Sequence, residues 1–148
     1  MKALVVYDSA YGNTKQVAEA VAASLGPLQA HAVSVTDFKA PVLAEGDLLV
    51  VGSPINGWRP TPKIAEMLAA LGGGQLHGVK AAAFDTRVRL FIHGDAAKKM
   101  TETLKAAGAE IVSKPMAFYV KGSEGPLRSG ELEKAATWAG DLLKRAGR

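Results

Sequence analysis

The chain has 148 residues, of which 48% are hydrophobic and 22% charged, and its formal net charge is +4. These values are typical of one globular domain with a substantial core, and they exclude a disordered or fibrous chain. Because the chain has no cysteine, disulfides, thiolate metal sites, iron–sulfur clusters and cysteine nucleophiles are excluded. We therefore expect a single domain over residues 1–148, in a reducing, cytoplasmic environment.

Membrane, nucleic-acid and metal binding are not expected. The first apolar run is too short for a signal sequence, and no run approaches the length that spans a bilayer. The basic residues are scattered rather than clustered, which disfavours a nucleic-acid surface. His31, His77 and His93 are dispersed along the chain without the spacing of metal ligands.

Strand-like and helical segments alternate along the chain. Apolar runs predict strands at 3–7, 30–35, 47–53, 79–85 and 110–120, the last with an interruption near Lys114-Pro115. Apolar residues at helical spacing predict helices after residue 13, after Thr61-Pro62, after Gly94-Asp95 and from about Ser129. The final helix is expected to bury Leu132, Ala135, Trp138, Ala139 and Leu142. This alternation predicts an α/β fold with five parallel strands and helices on both faces.

The loop between the first strand and the first helix is the clearest functional signal. Residues 9–14 read Ser-Ala-Tyr-Gly-Asn-Thr. Such a turn directs backbone N–H groups, hydroxyls and the positive end of a helix dipole to one place, which favours an anion. Gly12 allows close approach of the backbone, and Ser9 and Thr14 can donate hydrogen bonds. The sequence therefore predicts a phosphate site here, although capping and turn formation alone would also suit these residues.

Two further loops leave the same edge of the predicted sheet. In an open parallel sheet, ligands bind beyond the carboxyl ends of the strands. Residues 54–60 offer Trp58, whose position beside a glycine favours an exposed ring, and residues 85–89 form a polar, basic loop that contains Arg87 and Arg89. A phosphate site, an aromatic ring and a polar edge are the features that bind flavin mononucleotide (FMN).

The whole chain resembles the short-chain members of the flavodoxin family, and residues 9–14 are similar to that family's phosphate loop. The resemblance implies a doubly wound sheet of order 2-1-3-4-5 and FMN held without covalent attachment. It implies cofactor-binding residues in three loops, namely Ser9, Ala10, Tyr11, Gly12, Asn13 and Thr14; Pro54, Ile55, Asn56, Gly57 and Trp58; and Asp85, Thr86 and Arg87.

Two features depart from the family's usual pattern. Tyr11 stands where flavodoxins usually have threonine, and a tyrosine there is more similar to their quinone-reductase relatives. Flavodoxins are also typically acidic around the flavin, whereas Arg87 and Arg89 lie in the third loop. A cation near the flavin would stabilise its anionic reduced form, so we expect a less reducing flavin than in a typical flavodoxin.

The resemblance implies an electron carrier that shuttles electrons between a reductase and an acceptor, with redox proteins as partners and no catalytic residue of its own. An alternative is an FMN-dependent NAD(P)H:quinone oxidoreductase or a protoporphyrinogen-oxidase-like enzyme, since one scaffold hosts different functions. A phospho-receiver domain is disfavoured, because the third strand ends in Ser53 and an acidic pair after the first strand is missing. The sequence leaves the oligomeric state open.

Overall fold

The computed structural model describes residues 2–38, 43–55, 59–72, 74–88, 95–122 and 124–147. The strands are β1 (Ala3–Tyr7), β2 (His31–Ser34), β3 (Leu48–Pro54), β4 (Lys80–Val88), β5 (Glu110–Ile111) and β6 (Met116–Val120). The helices are α1 (Asn13–Ser24), α2 (Pro62–Ala70), α3 (Ala96–Ala106) and α4 (Glu131–Ala146), and a short 3-10 turn covers Gly26–Leu28.

All strand pairs within the sheet are parallel, and the strand order is β2-β1-β3-β4-β5, with β6 also paired to β4. β5 and β6 therefore occupy one position at the sheet edge, as two segments of an interrupted fifth strand. The predicted order 2-1-3-4-5 and the predicted interruption are confirmed. β1 lies between β2 and β3, so the strand order reverses beside β1, and a crevice opens at its carboxyl end.

Two apolar layers cover the two faces of the sheet. α1 and α4 pack on one face through a cluster that includes Val17, Val21 and Leu142. α2 and α3 pack on the other face through Ile64, Leu68 and other residues such as Met100. Because side chains alternate between the two faces of a strand, β3 supplies both layers and reads as a continuous apolar run.

An aromatic cluster fixes α4 to the sheet. Phe84, Phe118 and Trp138 make three edge-to-face pairs with ring centroids 5.7 to 5.9 Å apart. Trp138 is 3% exposed, which confirms its predicted place in the core. The Phe84 ring also lies directly over Gly52, where a Cβ atom would come within 2.1 Å of it. Gly52 is therefore required by close packing, at the end of β3 that adjoins the predicted ligand site.

Two predictions about local structure are wrong. Thr86 and Arg87 lie in β4, which continues to Val88, rather than in a loop after it. Their polar groups are satisfied by hydrogen bonds, so they do not end the strand. Leu132 is 41% exposed, because it lies in the first turn of α4, ahead of the stripe that packs on α1.

Across the described ranges, no helix combines the length and apolar character that a membrane span requires.

Candidate functional site

The first βα turn presents an uncapped helix N-terminus. Gly12 is the N-cap of α1, with φ of 89°, and within the described part no side chain caps this helix. The first turn of a helix has N–H groups without intrahelical partners. Here the N–H of Gln16 is the first to bond within the helix, to the carbonyl of Gly12 at 3.0 Å. The N–H groups of Asn13, Thr14 and Lys15 therefore point out of the start of the helix, an arrangement that suits an anion.

Local hydrogen bonds shape the loop in front of α1. The Ser9 hydroxyl accepts the Gly12 N–H at 2.9 Å, and the Ser9 N–H donates to the Asp8 carboxylate at 3.0 Å. The Asp8 N–H in turn donates to the Gly52 carbonyl at 3.1 Å, which ties the loop to β3. Since Ser9 uses its oxygen as the acceptor, its own hydroxyl hydrogen remains to be donated to a ligand.

Thr86 connects the three predicted loops. Its hydroxyl lies 2.8 Å from the hydroxyl of Thr14, in a buried contact between β4 and the first turn of α1. Its carbonyl accepts the N–H of Ile55 at 3.3 Å, and Pro54 is its register partner in β3. The beginning of the second loop and the end of β4 are thus held beside the N-terminus of α1.

Asp85 and Arg87 face α3. The Asp85 carboxylate is fully buried and accepts the Nε of Arg87 at 2.8 Å, its Nη2 at 2.5 Å, and the N–H of Ala97 at 2.9 Å. Arg87 Nη2 also donates to Asp95 at 3.1 Å, and Asp95 caps α3 by accepting the N–H of Lys98 at 2.9 Å. This network fixes the start of α3 to the end of β4.

The network sets the electrostatics at this end of β4. Burial raises the pKa of the Asp85 carboxyl, although the hydrogen bonds from Arg87 and Ala97 act to lower it. For Arg87, burial acts to lower the pKa, but the hydrogen bonds and charges of Asp85 and Asp95 raise it on balance. The two-point contact favours the charged forms of both groups. Arg87 is thus paired with two carboxylates, and the expected rise in flavin potential stays a prediction; Arg89 lies outside the described residues.

The turn after β6 also reaches the site, and the sequence analysis had not identified this turn as part of it. Asn13 is buried, and a Cβ atom at Gly125 would come within 2.5 Å of its side-chain oxygen. The turn after β6 therefore packs against the first residue of α1. It leaves the same edge of the sheet as the other loops, and this position in the topology was the signal that could have identified it.

The remaining predicted residues divide into exposed, partly buried and undescribed ones. Ala10 and Tyr11 are exposed, Tyr11 at 59%, while Pro54 and Ile55 are partly buried. Asn56, Gly57 and Trp58 lie outside the described residues, so the predicted aromatic contact stays a prediction. Over the described residues, no group of three or more acidic or histidine side chains could hold a metal ion.

An anion cradle at the first βα turn, beside the point where strand order reverses, defines a class of doubly wound α/β proteins that bind mononucleotides. The donors present fit a phosphate monoester: three helical N–H groups, the Ser9 hydroxyl, and the Thr14 hydroxyl held by Thr86. No acidic side chain lies in the first turn of α1, so none opposes an anion from within it.

The flavodoxin family model matches residues 5–138 of the chain. The chain therefore belongs to the flavodoxin family and is an FMN-bound electron carrier.

Solved structures have the same fold. A flavodoxin from the domain Archaea is 22% identical, with 100% of both chains covered and a TM-score of 0.83. Flavodoxin 1 from Bacillus cereus is 19% identical, with 97% of this chain and 98% of that chain covered and a TM-score of 0.82. Rubredoxin oxygen:oxidoreductase from Desulfovibrio gigas is 20% identical, with a TM-score of 0.80, but the match covers 99% of this chain and 36% of that one.

Proposed function

We propose that the chain is a one-domain, cytoplasmic shuttle that takes electrons from a reductase and delivers them to an acceptor protein. The observation that carries the proposal is the uncapped N-terminus of α1 beside the paired hydroxyls of Thr14 and Thr86. This arrangement supports phosphate binding at a site where the family holds FMN. Bound FMN supplies chemistry that accepts and releases one or two electrons.

The chain's own residues bind and orient the cofactor. Ser9 and Thr14 donate hydroxyl hydrogens to the phosphate, and the first turn of α1 donates backbone N–H groups. Thr86 holds the Thr14 hydroxyl in place and, through its carbonyl, the start of the second loop. The predicted contacts of Asp85 and Arg87 with the cofactor stay predictions. The two residues position the start of α3 against β4.

Residues 54–58 complete the proposed site at the flavin ring, with Trp58 as the stacking side chain. Redox proteins are the proposed partners, and neither nucleic acid nor a stable membrane association is part of the function. An electron carrier that moves between redox partners needs no catalytic side chain, since it only has to hold the cofactor and leave one edge of the cofactor accessible to those partners.

Reconstitution followed by reduction tests this proposal. The apoprotein is loaded with FMN and mixed with NADPH, with or without a flavoprotein reductase, and with ferricytochrome c as the electron acceptor. A carrier takes up FMN, as seen in its visible spectrum, and speeds the reduction of cytochrome c when the reductase is present. Failure to take up FMN would contradict the proposal at its first step.

Tyr11 favours an FMN-dependent quinone oxidoreductase as the second candidate function. Tyr11 is 59% exposed in the phosphate loop. A tyrosine at this position is more similar to the quinone-reductase relatives than to typical flavodoxins. The same FMN-loaded protein is therefore assayed with NAD(P)H and a quinone. Steady turnover without an added reductase would establish the enzyme and contradict the carrier.

A further inference from the structure

The first turns of α2 and α3 carry lysines where helices favour acids. The positive end of the helix dipole stabilises Asp and Glu in the first turn and disfavours Lys and Arg. α2 begins with Pro62 and has Lys63 next, and α3 carries Lys98 and Lys99 four residues or fewer from its start. Neither helix has an acidic residue in its first turn.

These lysines and Arg59 form a basic rim on one side of the ligand crevice. Arg59, Lys63, Lys98 and Lys99 are all exposed. α2 and α3 cover the same face of the sheet, and both begin at the edge where the carboxyl ends of the strands lie. In the described part of the chain, none of the four side chains belongs to an ion pair.

Nearby carboxylates lower the charge of the rim but are fewer than its four cations. Asp95 lies beside it but is bound to Arg87 and to the N–H of Lys98. Glu66 and Glu102 are exposed on α2 and α3, about one turn, or roughly 5 Å, further from the edge. Glu131 and Glu133 are acidic residues in the first turn of a helix, but that helix is α4, which packs on the opposite face of the sheet. The rim is therefore positive, and two helix dipoles add to it.

The cofactor phosphate does not account for this charge. Its cradle lies at α1, which packs on the opposite face of the sheet from α2 and α3. Arg59 of the rim follows directly in sequence on residues 54–58, the segment that the proposed function assigns to the flavin ring, where electrons must enter and leave. First-turn lysines are unfavourable in both helices, although Asp95 caps α3, and residues that lower stability are often retained because function needs them.

We propose that the basic rim is the docking surface for a redox partner whose contact face is rich in Asp and Glu, and this inference rests on the proposed function. Complementary charge steers two proteins together and orients their redox centres, and salt weakens the effect. The partner's chemistry is thus an acidic protein surface around an electron donor or acceptor.

The test uses one-electron oxidants of opposite charge. FMN-loaded protein is reduced with dithionite and mixed in a stopped-flow instrument with ferricyanide, an anion, or ferricytochrome c, a basic protein. Each oxidant takes up one electron, so two are consumed for each reduced FMN, whose protons pass to the buffer. Rates are compared at about 0.01 M and about 1 M ionic strength, where the Debye length is about 30 Å and about 3 Å.

Two double variants distinguish the effect of the rim on these rates from the effect of the net charge. Lys63→Glu with Lys99→Glu reverses the rim, while Lys114→Glu with Lys144→Glu changes the net charge equally at two exposed lysines outside the first turns of α2 and α3. In the native protein and the control, salt should slow ferricyanide oxidation by about tenfold and should not slow cytochrome c reduction. In the rim variant the ferricyanide effect should be lost, and salt should slow cytochrome c reduction.

Three results would overturn the proposal. One is an equal salt dependence in the native protein and the rim variant, and a second is a cytochrome c reaction that salt slows in the native protein. Binding of duplex DNA that is lost in the rim variant would also overturn it, in favour of a nucleic-acid surface. Uptake of FMN is read first, so failure of the cofactor site is distinguished from failure of the rim. The melting temperature shows that the variant is folded.

Discussion

The hydroxyl oxygens of Thr14 and Thr86 lie 2.8 Å apart and are buried, although 72 positions separate the two residues in the sequence. A hydroxyl group has one hydrogen to donate and can also accept. If Thr86 donates to Thr14, the hydrogen of Thr14 points away from β4 and toward an anion at the start of α1. We therefore expect Thr86 to act as a positioning residue for the phosphate donor.

Replacing Thr14 should weaken the binding of FMN more than replacing Thr86 does. Thr14→Val removes a donor to a charged group and should cost about 1.5–3 kcal/mol of binding free energy. Thr86→Val removes a neutral partner and should cost about 1 kcal/mol. Fluorescence titration of the apoprotein with FMN measures both changes, and Thr86→Ser, which keeps a hydroxyl, should bind close to the native affinity.

A double-variant cycle separates positioning from general damage to the fold. In the Thr14→Val background, Thr86→Val should have little further effect on FMN affinity, because the hydroxyl that it orients is gone. Riboflavin, which lacks the phosphate, should bind equally to all four proteins. An equal loss of riboflavin binding in Thr86→Val would show that Thr86 acts on the structure of the site in general.

Gly12 and Gly130 provide a matched pair for the phosphate loop. Both are helix N-caps with positive φ, of 89° and 85°, and a Cβ atom at either would meet nothing within 4 Å. Replacement by alanine should therefore cost about 1–2 kcal/mol of folding stability at each site through backbone strain alone. Urea unfolding of the two apoproteins checks this equality.

Binding of FMN should distinguish the two glycines. Gly12→Ala distorts the loop that accepts the phosphate and should lower FMN affinity by about tenfold or more, equal to about 1.4 kcal/mol. Gly130→Ala leaves that loop unchanged and should bind FMN as the native protein does. Equal affinities of the two variants would contradict the assignment of the anion site to the start of α1.

Asp85 should be the most costly carboxylate to remove. It is fully buried and accepts three hydrogen bonds, two of them from Arg87. Asp85→Ala leaves a buried cation with one carboxylate fewer and should lower stability by about 3–5 kcal/mol. Asp95→Ala removes a cap whose side chain is 45% exposed and should cost about 1 kcal/mol. Urea unfolding compares the two, and a larger loss for Asp95 would contradict the account.

The fold was predictable because it depends on local periodicity. β1 was predicted with its observed bounds, Ala3–Tyr7, since a short β-branched run followed by a polar turn leaves few alternatives. The order of the strands followed from the resemblance, and the alternation of strands and helices agreed with it. The apolar stripes of α1 and α3 were visible for the same reason.

The end of β4 was not predictable, because distant residues decide it. Arg87 reads as a loop residue until Asp85 and Asp95 are seen to satisfy its guanidinium. Thr86 is bound by a threonine that no local pattern connects with it. The exposure of Leu132 has a similar cause, since helical spacing identifies a stripe and not the turn at which packing begins.

Charge reversal at the two helix starts should raise stability. Lys63→Glu and Lys99→Glu each replace an exposed cation near a positive dipole end by an anion, which is worth about 0.3–1 kcal/mol. Lys105→Glu is the control, because Lys105 lies in the last turn of α3, where a cation is favoured. It should lower stability by a similar amount. Thermal unfolding at low salt measures these changes, and a loss of stability in Lys63→Glu would contradict the dipole argument.

The central claim is that the turn between β1 and α1 holds the phosphate of FMN. Titration of the apoprotein with FMN and with riboflavin tests it most directly, because the two ligands differ in the phosphate alone. Two or more charge-assisted hydrogen bonds, at about 1.5–3 kcal/mol each, predict that FMN binds about 100-fold more tightly or better. Equal affinities for FMN and riboflavin would contradict the account.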